Sequence, residues 1–224
     1  MYTGAYMIRK VVGIHFSPVG GTAGMTDRLT QQLADILRDC SPFPVTTESY
    51  ELLRLGDDTI TLDDETVAVI GMPVYVGKAP LPALNALRKI NASGTLAVAF
   101  VSYGARTYGN ALYELQHHAE EQGFRIVGAG AFSVRYRTRG LRPLPGQYTG
   151  DSHSVEQFAN AAAAKIRRLG GCEIEGLRIK PAPLEVAGRL PVHRISRISP
   201  RAAAAAQAVL QRLAFIRRES EWFL

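Results

Sequence analysis

A three-layer α/β sandwich is predicted, with a five-stranded parallel sheet covered by helices on both faces. Three observations predict it. Apolar runs of strand length alternate with stretches of helical periodicity through residues 1–164. Three of these runs, near residues 11–16, 66–72 and 96–102, are apolar almost throughout, as strands buried on both faces must be. The chain has 224 residues, 46% of them hydrophobic and 21% charged, which suits one sizeable core and excludes a fibrous or wholly disordered protein.

The elements follow in order. Val11-Val-Gly-Ile-His-Phe16 forms the first strand, stopped by Ser17-Pro18. A helix runs from about Ala23 to Cys40, with Leu29, Leu33, Ile36 and Leu37 on one face. Val45–Tyr50 is the second strand and Thr66–Met72 the third. Leu81–Lys89 suits a short helix, and Leu96–Ser102 is the fourth strand. The helix from Gly109 to Gln122 ends at Gly123, where a left-handed cap favours glycine. Phe124–Val134 is the fifth strand, and Ser154–Leu169 an alanine-rich helix closed by Gly170-Gly171.

Beyond it, four prolines between Pro181 and Pro200 punctuate an extended stretch. Ser199-Pro200 then opens a last helix, with serine at the cap and proline in the first turn. Val209, Leu210, Leu213, Phe215, Ile216, Trp222 and Phe223 give that helix apolar surface, expected to pack on the domain or across a homodimer interface. The expected division is a domain over residues 1–170 and a basic extension with its helix over 171–224.

Charge separates the same two parts. Residues 165–224 carry 12 Lys and Arg against 5 acids, whereas residues 1–164 carry 14 against 15. A nucleic-acid arm is disfavoured, because no aromatic residue is interleaved with the tail's charges before Phe215. No run approaches the ~20 apolar residues of a membrane span, and the first ten residues lack a secretory pattern. Cys40 and Cys172 form no C-x-x-C pair, so no four-thiolate metal centre is expected. A cytoplasmic location follows as the expectation.

In a sheet of this kind ligands sit beyond the carboxyl ends of the strands, where strand order reverses. Three loops lie there. Ser17-Pro-Val-Gly-Gly-Thr22 enters the first helix, where a phosphate would meet unpaired N–H groups, and equally reads as a capped helix entry. It contains no lysine and matches neither the Walker nor the G-x-G-x-x-G pattern, which argues against an ATPase, a GTPase or a dinucleotide site. Pro73-Val-Tyr-Val-Gly-Lys-Ala-Pro80 follows the third strand. There Tyr75 is placed either to stack on a flat ring or to sit half buried in a proline-bounded turn. Tyr103-Gly-Ala-Arg-Thr-Tyr-Gly-Asn110 follows the fourth. Among the histidines, His15 reads as a core or edge residue, and His117-His118 point to different helix faces. No hydrolase motif is present.

These three loops, in this order and each after the right strand, resemble those of flavodoxin-like proteins, which bind flavin mononucleotide (FMN). The resemblance covers about residues 8–195 and implies a flavodoxin-like sheet order of 2-1-3-4-5. The first loop is similar to the family's phosphate loop, with Val19 in place of a threonine and Gly21 in place of a commoner asparagine. Phe16-Ser-Pro-Val-Gly-Gly-Thr, Pro73-Val-Tyr-Val-Gly-Lys and Tyr103-Gly…Tyr108-Gly-Asn-Ala-Leu are most similar to the flavodoxin half of flavodoxin–ferredoxin fusion proteins. The ferredoxin half is missing, and residues 196–224 contain no cysteine to build a cluster.

The resemblance implies an electron-transferring flavoprotein with a redox partner protein, such as a separate ferredoxin. Ser17, Val19, Gly20, Gly21 and Thr22 would hold the phosphate. Pro73, Val74, Tyr75, Val76 and Gly77 would line one side of the isoalloxazine, and Tyr103, Gly104, Tyr108, Gly109 and Asn110 the other, with Lys78 and Arg106 flanking it. Two further readings stand beside it: an NAD(P)H-dependent quinone or flavin reductase on the same fold, and a flavin-free interaction module.

Overall fold

A computed structural model describes residues 7–104, 107–139, 142–150, 152–169, 186 and 221–224. Its centre is a sheet of parallel strands in the order β2 (Thr46–Glu51), β1 (Lys10–His15), β4 (Thr66–Pro73), β6 (Leu96–Tyr103) and β7 (Arg125–Arg139). These are the five predicted strands in the predicted order. β4 and β6 are buried along their whole length, which accounts for their unbroken apolar sequences.

Two hydrophobic layers flank the sheet. On one face Val11, Val67, Val69, Val98 and Phe100 pack with Leu29, Leu33 and Leu37 of α1 (Gly21–Arg38) and Phe158 and Ile166 of α4 (Ser152–Leu169). On the other, Val12, Ile14, Ala99 and Val101 pack with Leu84 and Leu87 of α2 (Leu81–Leu87) and Leu112 and Leu115 of α3 (Ala111–Glu121). The helix stripes read from the sequence are thus the faces that meet the sheet. Gly123 has φ 89 and donates its N–H to the Glu120 carbonyl, so the predicted left-handed end of α3 is present.

The sheet has seven strands, where five were expected. β7 runs to Arg139, and β8 (Arg142–Gly150) returns antiparallel to it. The sequence there, rich in arginine and interrupted by Pro143 and Pro145, lacks the apolar alternation that marks a strand. A small parallel pair, β3 (Ile60–Leu62) with β5 (Ile90–Ala92), lies outside the main sheet. Its strands are too short to show a period.

The end of the chain corrects a second expectation. Trp222 and Phe223 belong to β9 (Glu221–Phe223), antiparallel to β7 through Ala129, Gly130 and Ala131, and not to a helix. The Trp222 ring lies 6.3 Å from that of Phe158, and Phe223 packs against the α2/α3 layer. Phe223 is thus half-buried against the chain's own sheet, and Trp222 is partly covered by it. The predicted helix over residues 200–216 lies outside the described residues, as does most of the extension 171–224. Trp222 is the chain's one tryptophan, so its emission reports the docking of β9. At 37% exposed, its replacement by alanine should cost roughly 1–2 kcal/mol, less than for a fully buried ring. Urea unfolding followed by far-UV circular dichroism checks this, and an unchanged midpoint would show that β9 adds nothing to stability.

Candidate functional site

The loops after β1, β4 and β6 converge at the carboxyl edge of the sheet. In the first, the Phe16 N–H still bonds to the Gly71 carbonyl at 3.2 Å, so Ser17 is the first residue to leave the sheet. The Gly20 N–H bonds to the Ser17 carbonyl at 3.2 Å, and Gly20 has φ 84, a left-handed conformation that a side chain would penalise. Ser17 Oγ accepts the Ala23 N–H at 2.9 Å and so fills the capping role that Gly20 cannot. A hydroxyl that accepts one bond keeps its proton to donate. The N–H groups of Gly21 and Thr22 find no acceptor among the described residues, at the positive end of an 18-residue helix. Val19 is half-buried beside them.

Thr22 turns inward. It is 1% exposed, and its hydroxyl bonds to that of Ser102 on β6 at 2.8 Å. Of the two hydroxyls expected at the phosphate, Ser17 therefore lies at the loop's surface and Thr22 is tied to the core. His15 closes the end of β1, 8% exposed between β2 and β4, with Nε2 3.3 Å from Glu51 Oε2 on β2.

The second loop is a tight turn. Tyr75 and Lys78 exchange N–H to carbonyl bonds of 2.9 and 3.1 Å around Val76 (φ 53) and Gly77 (φ 74). Both central residues are left-handed, the pattern of a type I′ turn. Among the described residues Val76 is the one non-glycine at positive φ, and it is β-branched and 54% exposed. Such strain collects where surrounding structure enforces it, commonly at ligand clamps. Val76→Gly should raise stability by about 1 kcal/mol by removing the left-handed penalty. A chevron or urea titration checks it, and a destabilised variant would mean that the Val76 side chain is held by contacts.

The third loop seats directly on the second. The Asn110 N–H donates to the Gly77 carbonyl at 2.8 Å, and a Cβ on Gly109 would lie 2.4 Å from that same oxygen. The expected arrangement placed a flat ring between these loops. At Gly77 and Gly109 the two loops meet backbone to backbone. On the outer rim Val76 and Gly109 are exposed and Tyr75, Gly77, Tyr108 and Asn110 half-buried. Pro73, Val74, Tyr103 and Gly104 are buried behind that rim, with the Tyr103 ring 5.7 Å from Tyr108 and Tyr75 edge-on to Phe16 at 6.4 Å. Arg106 lies outside the described residues.

One residue of the site escaped the sequence reading. Glu114 of α3 is 0% exposed, and its Oε2 accepts the Ala79 N–H at 3.0 Å, just past the turn. Its Oε1 has no hydrogen-bond partner among the described residues. Burial pushes the carboxyl up to about 7, against the opposing pull of the Ala79 bond and the Lys78 ammonium. The available signal was spacing: Glu114 falls between Ala111, Leu112, Leu115 and Ala119 on the apolar stripe of α3. No group of three or more His, Cys, Asp and Glu among the described residues could hold a metal ion. No described helix is long and apolar enough to cross a membrane.

No protein-family model and no curated protein matches the chain. Solved structures do. An oxidoreductase from Corynebacterium diphtheriae is 12% identical over 73% of this chain and 97% of its own, with a TM-score of 0.50. Rubredoxin oxygen:oxidoreductase from Desulfovibrio gigas is 14% identical over 76% of this chain, which spans only 38% of that protein's length, at a TM-score of 0.48. A Fusobacterium nucleatum flavodoxin, solved bound to flavin mononucleotide, is 13% identical over 72% of this chain and 98% of its own, at 0.41. At these identities the likeness is one of fold. The parallel order β2-β1-β4-β6-β7, with helices on both faces, is that of a doubly wound α/β sheet.

Proposed function

We propose that this chain binds FMN and passes electrons through it to a redox partner protein, such as a separate ferredoxin. The observation that carries the reading is the start of α1. The Gly21 and Thr22 N–H groups lack acceptors among the described residues and the Ser17 hydroxyl lies beside them, in a loop free of lysine and opened by a left-handed glycine. That donor set suits one terminal phosphate. When bound, FMN supplies the one- and two-electron chemistry of its ring. The chain's part is to hold the phosphate through residues 17–22 and to offer the rim of Tyr75, Val76, Gly77, Tyr108 and Gly109 as the ring's resting surface. Electron exchange then needs no substrate pocket, only an exposed ring edge.

The test is the visible absorption spectrum of the protein with and without added FMN, followed by heat release and chromatography of the bound flavin. A red-shifted or structured flavin band at one equivalent, with FMN recovered, supports the reading. An unperturbed spectrum, or FAD as the main species, overturns it.

A further inference from the structure

We propose that Glu114 is a positioning residue whose proton state tightens or loosens the Tyr75–Lys78 turn, and that through this turn flavin binding becomes pH-dependent. The second half rests on the proposed flavin site; the first half does not.

The turn needs holding, because Val76 and Gly77 are both left-handed and Val76 is β-branched. Besides its own Tyr75–Lys78 bonds, contacts to the start of α3 help to fasten it. The Asn110 N–H holds the Gly77 carbonyl, and Glu114 holds the Ala79 N–H. The first is fixed backbone. The second ends on a titratable group with one oxygen bonded and the other buried bare.

The surroundings leave Glu114 poised between its two forms. Among the described residues, the Lys78 ammonium of the turn is the cation that favours its carboxylate. The part of β6 on the α3 side ends in Tyr103, β7 presents Ala129 and Ala131 there, and α2 contains no titratable residue. On α3 itself, His117 and His118 are turned to Glu121, at 3.3 and 3.0 Å, and Tyr113 stacks on His117. Burial disfavours the carboxylate more than the Ala79 bond and the Lys78 ammonium favour it, and the carboxyl is pushed up to about 7.

The two forms grip differently. Ionised, Oε2 accepts the Ala79 N–H in a charge-assisted bond, roughly twice as strong as a neutral one. When a proton from solvent adds to Oε1, Oε2 becomes a carbonyl oxygen and the grip weakens. The turn is therefore tightest above the midpoint. A ligand that rests on a pre-ordered turn loses less freedom on binding.

The experiment uses the full chain. The amide resonance of Ala79 should titrate with a midpoint near 7 in the wild type and stay flat in Glu114→Gln, which keeps the shape and an acceptor oxygen but cannot ionise. Lys78→Met, which removes the cation that favours the carboxylate, should move the midpoint upward. Riboflavin is the ligand probe, because it has no phosphate to titrate. Its affinity should rise about fivefold through the same midpoint in the wild type and remain constant in Glu114→Gln.

An Ala79 resonance that ignores pH, or titrates equally in Glu114→Gln, overturns the proposal. Riboflavin binding that is pH-independent while Ala79 titrates overturns the coupling to the ligand. If riboflavin does not bind at any pH, the flavin reading fails, and the Ala79 titration alone decides the role of Glu114.

Discussion

Gly109→Ala should destabilise the protein by about 2–4 kcal/mol and lower FMN affinity about 100-fold. Gly109 has φ 57, and a side chain held there costs about 1–2 kcal/mol. The added methyl would also lie 2.4 Å from the Gly77 carbonyl oxygen and 2.7 Å from the Gly77 Cα. Both are backbone atoms of the neighbouring loop, so no side chain can swing aside. The loops must separate, which strips the Gly77 carbonyl of its 2.8 Å bond from Asn110 and displaces the rim on which the ring is proposed to rest. Thr107→Ala is the matched control. It removes only the exposed 3.1 Å bond from the Gly109 N–H to Thr107 Oγ1 and should cost less than about 0.5 kcal/mol. Urea unfolding and an FMN titration read both quantities. Wild-type behaviour of Gly109→Ala would show that the contact between the loops is not structural.

FMN should bind the wild type at least about 100-fold more tightly than riboflavin. Hydrogen bonds to a charged group contribute about 1.5–3 kcal/mol each, and the start of α1 offers the Gly21 and Thr22 N–H groups together with the Ser17 hydroxyl. Two variants divide that preference. Ser17→Ala removes the donor at the loop surface and the cap on Ala23, and should weaken FMN by about one to two decades while riboflavin changes little. Thr22→Val should act otherwise. Its hydroxyl bonds to Ser102 in the core, so its loss leaves a buried hydroxyl unpaired and costs about 1–3 kcal/mol of stability, with the preference for FMN kept. Calorimetric titration of both flavins against the three proteins checks this. Equal losses of FMN and riboflavin in Ser17→Ala would remove the phosphate from that loop.

Much of the scaffold is legible in the sequence because its signals are local. β4 and β6 are buried on both faces, and a strand so placed must be apolar at every position. The stripe of α1 repeats with the helical period because one face meets the sheet. Strand order restricts a ligand to the carboxyl edge, so the three loops were identifiable before their geometry was. β8 and β9 were not, since β8 is interrupted by Pro143 and Pro145 and β9 is three residues long, so neither carries a continuous apolar run.

The chain's own residues thus determined the strands, the helix stripes and the layers, while the strand order was legible only through the resemblance of the three loops to flavodoxin-like proteins. The tertiary structure alone decided what each loop residue does there. Thr22 faces Ser102, 80 positions away, because the first turn of α1 rests over the carboxyl end of β6. Gly109 touches Gly77 because the β4–β6 register carries Pro73 opposite Ser102 and so brings the following loops to one height. Glu114 is buried because α3 docks with its first turn behind the Tyr75–Lys78 turn. Each outcome depends on a pairing between distant segments, and periodicity, which compares a residue only with its near neighbours, holds no record of such pairings.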